Sequence, residues 1–251
     1  MPQFFQDVGV TVGDFVGYAT DASLSGSQSF QAVRAVGFKG SIGTVPSGPP
    51  GGSASFSFTG SSPGAGDFLT DDPENDEVDV KVGSANGKGL CDSFSISCEP
   101  NALASSTLSF MFFKPPTIAL GAGAGGGASA DVGKSLLHGA GAGSAGGQSV
   151  EYSMSQSFEG IYELGSFCPI YKYRSDAEET GTVQGDDIGS AIKECADAGC
   201  ATEGSVTISI GAICSGGTPF TANVEGYITE QGVTVSEGGV LSGKLVVVNY
   251  F

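Results

Sequence analysis

Gly133-Lys134-Ser135 is the first place in this 251-residue chain where residue types at a set spacing could do chemistry. Backbone amides, a lysine and a hydroxyl able to hold Mg²⁺ are the groups that cradle a nucleotide's phosphates. The glycine such a loop needs five residues earlier is Ala128, and only Leu136-Leu137 comes after it before glycine returns. With no apolar strand before it and no helix after it, the tripeptide has no frame. Nucleotide binding is not expected.

The other candidates fail on geometry too. Asp71, Asp72, Glu74, Asp76, Glu77 and Asp79 crowd a short run around Pro73, but the alternate ligands, central glycine and final glutamate of a calcium loop are missing. A solvated acidic loop is the expectation there. The one histidine, His138, sits in Gly-Ala sequence with no neighbouring carboxylate and no nucleophile elbow, which leaves no hydrolase triad. Cys91, Cys98, Cys168, Cys195, Cys200 and Cys214 contain no Cys-x-x-Cys pair, so no zinc set stands out. Cys91 with Cys98 and Cys195 with Cys200 are near enough in sequence to pair under oxidising conditions, although free or buried thiols are the rule in a reducing compartment. No spacing singles out two of the 27 acids for glycoside cleavage. The chain therefore reads as a non-enzyme, with no catalytic residue, cofactor or metal.

Charge narrows the partners. Ten Lys and Arg stand against 27 Asp and Glu, a formal charge of −17. No basic cluster exists to replace the counterions of a nucleic acid, and the long-range field repels a polyanion. The first residues, Met-Pro-Gln-Phe-Phe-Gln-Asp, lack the basic and apolar regions of a signal peptide, and no apolar run reaches membrane-spanning length. Synthesis in the cytoplasm and no membrane partner are the expectations.

The elements that must carry these residues are strands. With 42 Gly, no Trp and charged residues at 15%, the composition favours short strands joined by tight turns. Period-2 alternation runs through residues 8–18, 22–36, 54–59, 78–82 and 94–98, and residues 107–113 form a strongly apolar strand ended by Lys114-Pro115-Pro116. One short amphipathic helix is expected at 186–199, where Ile188, Ile192 and Cys195 fall at helical spacing and Gly199 can close the end.

Within this all-β pattern a tetrapeptide recurs. Ser-Gln-Ser-Phe occupies residues 27–30 and again 155–158, and the residues after each copy stay in step at an offset of 128: Phe30 with Phe158, Val33 with Ile161, Val36 with Leu164, Gly37 with Gly165. Gly-Ser-Ala-Ser-Phe-Ser-Phe-Thr at 52–59 resembles Gly-Ser-Val-Thr-Ile-Ser-Ile-Gly at 204–211 at an offset of 152, which puts 24 extra residues in the second copy. Runs in step are what a duplicated unit leaves behind. The expected organisation is two tandem β-sandwich or half-barrel domains related by internal duplication, 1–119 and 148–251, joined by a Gly/Ala/Ser-rich linker or arm at 120–147. The final strand, 244–251, corresponds in place to 107–113.

The runs at 22–37 and 152–165, each succeeded by a Pro-bearing loop and a Gly-Ser-x-Ser/Thr-apolar strand, resemble the tail tube proteins of bacteriophages. The resemblance covers about a third of each copy, and the Gly-rich segment and the cysteine pairs depart from the family pattern. It implies a viral structural protein in the virion tail whose subunits join edge to edge into rings, and rings that stack into a tube. A tandem copy lets three chains do the work of six, a homotrimeric ring with pseudo-sixfold symmetry. The partners so implied are the chain itself, other tail proteins, and DNA only as non-specific cargo repelled by an acidic lumen during genome ejection. Phe30, Val33, Val36, Gly37, Phe158, Ile161, Leu164 and Gly165 are then the expected assembly residues. A virion decoration, fibre or adhesion protein with two β domains is the alternative.

Overall fold

The computed structural model describes residues 9–37, 39–64, 68–119, 137–138, 147–185, 202–212, 220–235 and 241–251. These residues are all β. The strands of the N-terminal half are β1 (Val10–Val12), β2 (Phe15–Gly17), β3 (Asp21–Ser27), β4 (Phe30–Val33), β5 (Gly43–Pro46), β6 (Gly51–Thr59), β7 (Val78–Val82), β8 (Ala85–Cys98) and β9 (Ser105–Phe112). Next come β10 (Leu137–His138), β11 (Gly147–Ile161), β12 (Tyr171–Gly185), β13 (Glu203–Ala212), β14 (Phe220–Val235) and β15 (Leu241–Tyr250). The helix expected at 186–199 lies outside the described residues.

Alternation makes these strands. In β6, Ala54, Phe56 and Phe58 are buried while Ser53 and Ser55 face outward; in β11, Val150, Tyr152 and Met154 are buried between exposed Glu151 and Ser155. Outward hydroxyls pair across strands, Ser23 with Ser55 at 2.7 Å and Ser95 with Thr107 at 2.7 Å, a stabilising match of small polar side chains on the wet face.

All pairings are antiparallel, and the strand order repeats. In the first half β3 pairs β6, β6 pairs β9, β9 pairs β8 and β8 pairs β7. In the second half β11 pairs β12, β12 pairs β15, β15 pairs β14 and β14 pairs β13. In each half the last strand of the chain path inserts between the hairpin and its predecessor. The registers agree as well. Phe30 faces Pro46 and Val33 faces Gly43, as Phe158 faces Arg174 and Ile161 faces Tyr171. An irregularity lies between Cys91 and Ser93 in β8 where it meets β9, and another between Ile228 and Glu230 in β14 where it meets β15. These place β8 with β14 and β9 with β15, so that Leu90 opposite Met111 corresponds to Tyr227 opposite Val248.

That order corrects one sequence alignment. Residues 204–211 do not hold the place of 52–59, because β6 lies between β3 and β9 whereas β13 takes the position of β7. The correspondence of the final strand with 107–113 matches the pairing, since β15 and β9 each lie between a hairpin strand and its neighbour.

The halves meet where β8 pairs β11, and a single apolar core runs through the meeting. Phe94 of the first half lies 5.8 Å from the Tyr152 ring, and both lie 6.0 Å from Phe220 of the second, separations at which aromatic pairs attract beyond their buried area. Leu137 ties the halves again. It is buried, its amide donates to Gly60 O at 2.7 Å, its carbonyl accepts from Ala104 N at 3.0 Å, and it pairs Ala212 of β13. Part of the segment read as a linker is thus a strand anchored in the core.

Candidate functional site

The junction of β8 with β11 is the most elaborated part of the molecule. Residues 93–98 pair with 150–155, and directly beyond them Gln156 is buried at a core-facing step of β11. Its side-chain amide donates to Phe68 O at 2.7 Å and Cys91 O at 3.1 Å, and its carbonyl oxygen accepts from Thr70 N at 3.1 Å. A buried amide so satisfied fixes the register of three segments together. Two residues on, Phe158 packs with Leu90 and Phe113 in a small cluster of its own.

The acidic run docks on the same hairpin. Lys172 Nζ meets Glu77 Oε1 at 2.7 Å, the Lys172 amide donates to Glu74, and Arg174 reaches Asp71 Oδ1 at 2.8 Å and Thr70 O at 2.8 Å. The acidic run is solvated as expected, with Asp71, Asp72, Glu74, Asp76 and Asp79 exposed, and it also acts as a clamp, because Asp71, Glu74 and Glu77 hold cations or amides of the second hairpin. Asp72 and Asp76 shape the turn itself, Asp72 accepting from Glu74 N at 3.2 Å and Asn75 Nδ2 at 2.7 Å, and Asp76 from Thr70.

The first copy of the tetrapeptide stands on an open edge. No described strand pairs the outer side of β3, and none pairs the outer side of residues 232–235 of β14. The corresponding strands of the junction, β11 and the end of β8, pair each other. Burial agrees with this division. Phe30 is 60% exposed where Phe158 is 7%, Val233 is 54% exposed where Ile96 is 0%, and Tyr227 is 44% exposed where Leu90 is 0%. Val235 and Tyr250 are likewise exposed where Cys98 and Phe113 are buried.

The eight assembly residues expected from sequence fall at matching places of two hairpins and are not brought together. Val33 and Ile161 are the last strand residues before each tip, where Val33 O accepts from Ile42 N and Ile161 O from Ile170 N, both at 2.8 Å. Val36 and Leu164 stand fully exposed on the tips. Gly37 and Gly165 come next at φ 92° and 88°, a left-handed backbone that glycine adopts without strain. Sequence reading missed Gln156, Lys172 and Arg174. A long amide at a core-facing step of a repeated strand was the one available signal.

Among the described residues no group of His, Cys, Asp and Glu could hold a metal, and Cys91, Cys98 and Cys168 are free thiols. Cys91 and Cys98 share one strand, where a rise of about 3.3 Å per residue keeps them roughly 20 Å apart, far beyond disulfide reach. Where Phe112 covers Gly89 in the first half, Asn249 stands in the second, and a hollow of about 440 Å³ opens beside Gly226 and Tyr227. Glu203, Ser205 and Glu225 are among its lining residues, and Glu225 accepts from Asn223 Nδ2 at 2.8 Å.

Two buried acids of the junction titrate late. Burial, and then the Asp92 charge, pushes the Cys91 thiol well above its ordinary 9.0. Burial, and then the hydrogen bond that Tyr152 donates to Glu179 Oε1 at 2.6 Å, pushes the tyrosine well above 10.0. Both groups keep their protons longer in the folded state, so the stability they contribute is complete below the ordinary values and is lost as pH rises past them. The thermal midpoint is expected to hold to about pH 8.5 and to fall above it. Tyr152→Phe should flatten the part of the fall above the ordinary tyrosine value; a curve parallel to wild type would remove Tyr152 as its cause.

Membrane-spanning helices are absent among the described residues. No protein-family model matches the chain, and no curated protein matches it in sequence.

Proposed function

We propose that this chain is a structural protein that joins copies of itself edge to edge into closed rings, in the manner of a bacteriophage tail tube protein. One observation carries the reading: the β8–β11 junction is complete inside the chain, while in corresponding positions the outer sides of β3 and of residues 232–235 of β14 are paired by no described strand. An exposed edge is an aggregation hazard in a monomer and an assembly surface in an oligomer. Head-to-tail contacts of this kind generate rings when the rotation closes.

The repeated strand order and registers support descent of the halves from one duplicated unit, and three such chains would give six repeats around a ring. The hairpin tips, with exposed Val36 and Leu164, suit contacts along the tube axis. An acidic lumen, supplied by the −17 charge, would let DNA pass without sticking. Other tail proteins would cap the ends, and the virion tail would be its location.

Sedimentation velocity and negative-stain microscopy of the full chain test this. Rings and tubes of uniform bore are expected. Val233→Lys with Val235→Lys should leave a folded monomer whose stability lies within about 0.5 kcal/mol of wild type, because both side chains are exposed before assembly, yet abolish the rings. Monodisperse monomers of the unaltered chain at high concentration would overturn the proposal and favour the decoration or adhesion reading.

A further inference from the structure

The junction inside the chain specifies more than that two edges meet. Several contacts across β8 and β11 have counterparts whose halves are separated on the surface, so the internal junction predicts the external one at those places. Resting on the self-assembly reading above, we infer that the Ser-Gln-Ser-Phe strand of one copy docks on β14 of the next with Ala22 opposite Val235 and Ser23 opposite Thr234, and that Phe30 closes an aromatic cluster with the neighbour's Tyr227 and Tyr250.

The register comes from the pairing of Val150 with Cys98 and of Glu151 with Ser97. Ala22 and Ser23 hold the places of Val150 and Glu151 in the hairpin, and Val235 and Thr234 those of Cys98 and Ser97 beyond the strand irregularity. The cluster comes from Phe158, Leu90 and Phe113, which bury one another. Their counterparts are Phe30, Tyr227 and Tyr250, and all three are exposed. In a lone chain that leaves three large apolar rings in water. Tyrosine suits such a place, since it offers a ring to a partner and keeps a hydroxyl for water before docking.

Not every feature of the inner junction recurs. Lys172 and Arg174, which grip the acidic clamp, have Thr44 and Pro46 as counterparts in the first hairpin. The outer junction therefore rests on backbone pairing and aromatic burial without those ion pairs. It should be weaker than the inner one.

The test uses the full chain with Cys168→Ser, which removes the one exposed thiol among the described residues, and with Cys195, Cys200 and Cys214 also replaced by Ser. Ser23→Cys with Thr234→Cys should give, on mild oxidation, an intermolecular disulfide between positions 23 and 234, located by mass spectrometry, that locks rings covalently. Phe30→Ala should raise the protomer concentration needed for half-assembly by about tenfold or more, whereas Phe30→Leu should raise it far less. Because Phe30 is exposed, neither change should alter the fold of the monomer. If rings form but positions 23 and 234 do not link, or Phe30→Ala assembles as wild type, this register and cluster are wrong while self-assembly stands. If Phe30→Ala disperses the rings and the disulfide forms, both are supported. A chain that never assembles overturns both.

Discussion

Replacing Gln156 with leucine lowers the stability of the dilute, unassembled chain by about 3 to 5 kcal/mol, whereas the same change at Gln28 leaves it within about 0.5 kcal/mol. The two glutamines occupy the same step of the same tetrapeptide, yet their surroundings differ. Gln156 is buried and holds Phe68 O, Cys91 O and Thr70 N. Leucine has nearly the same volume and fills the site, but it leaves these backbone groups without partners away from water. Each unsatisfied buried group costs about 1 to 3 kcal/mol, and the loop from Phe68 to Asp79 should loosen with them. Gln28 is exposed in a lone chain, so its loss removes nothing there. If the chain assembles edge to edge as proposed, Gln28→Leu should weaken the rings without touching the monomer. Urea denaturation below the assembly concentration, then sedimentation above it, separates the effects. Equal losses of monomer stability at the two positions would show that the copies do not divide into an inner and an outer junction.

How far the sequence reaches depends on whether information is local. Strand class was legible because Ser-Phe-Ser-Phe and Glu-Tyr-Ser-Met alternate visibly, and one face of each had to be dry. The hairpin tips left a trace in the sequence without being read as tips, since Gly37 and Gly165, both at positive φ, stand at the same step after the same tetrapeptide. The likeness of 52–59 to 204–211 misled for the same reason that it caught the eye. Any half-buried strand alternates small polar with apolar residues, so the pattern says that a strand exists without saying which place it takes. In strand order β13 takes the place of β7, and Val206 and Ile208 stand where Val80 and Val82 do, with little else shared. Strand order is set by contacts distant in sequence, above all by the insertion of β9 and of β15 beside their hairpins. The grip of Lys172 on Glu77 spans 95 residues, and neither residue signals the other. A core shared across the halves was hidden too, since Phe94, Tyr152 and Phe220 look alike whether they bury in two cores or one.

A single added methyl at Gly226 tests the repeated architecture most severely. A Cβ there would lie 2.2 Å from Val248 O, with Val248 C and Asn249 Cα at 2.7 Å and 2.9 Å. All three are backbone atoms of β15, so no side chain can swing aside, and relief requires β14 to move off β15. Gly226→Ala should therefore cost about 3 kcal/mol or more, at the upper end of what overpacking costs. Gly89 stands in the corresponding place, with Met111 O at 2.8 Å and the Phe112 ring at 2.6 Å. Part of that crowding is a ring edge, which can yield a little, so Gly89→Ala should cost less than Gly226→Ala but clearly more than nothing. At Gly43 of β5 nothing lies within 4 Å, and alanine should be neutral to about 0.5 kcal/mol. Chemical denaturation of the three variants orders them. The consequence reaches the outer edge, because Tyr227 is the next residue after Gly226 and residues 232–235 continue the same strand. On the proposed edge-to-edge assembly, displacing β14 should misplace both and disperse the rings even at temperatures where the Gly226→Ala monomer remains folded. A Gly226→Ala chain as stable as wild type would mean that β14 and β15 do not approach as closely as their register requires, and the correspondence of Tyr227 with Leu90, on which the docking surface depends, would fall with it.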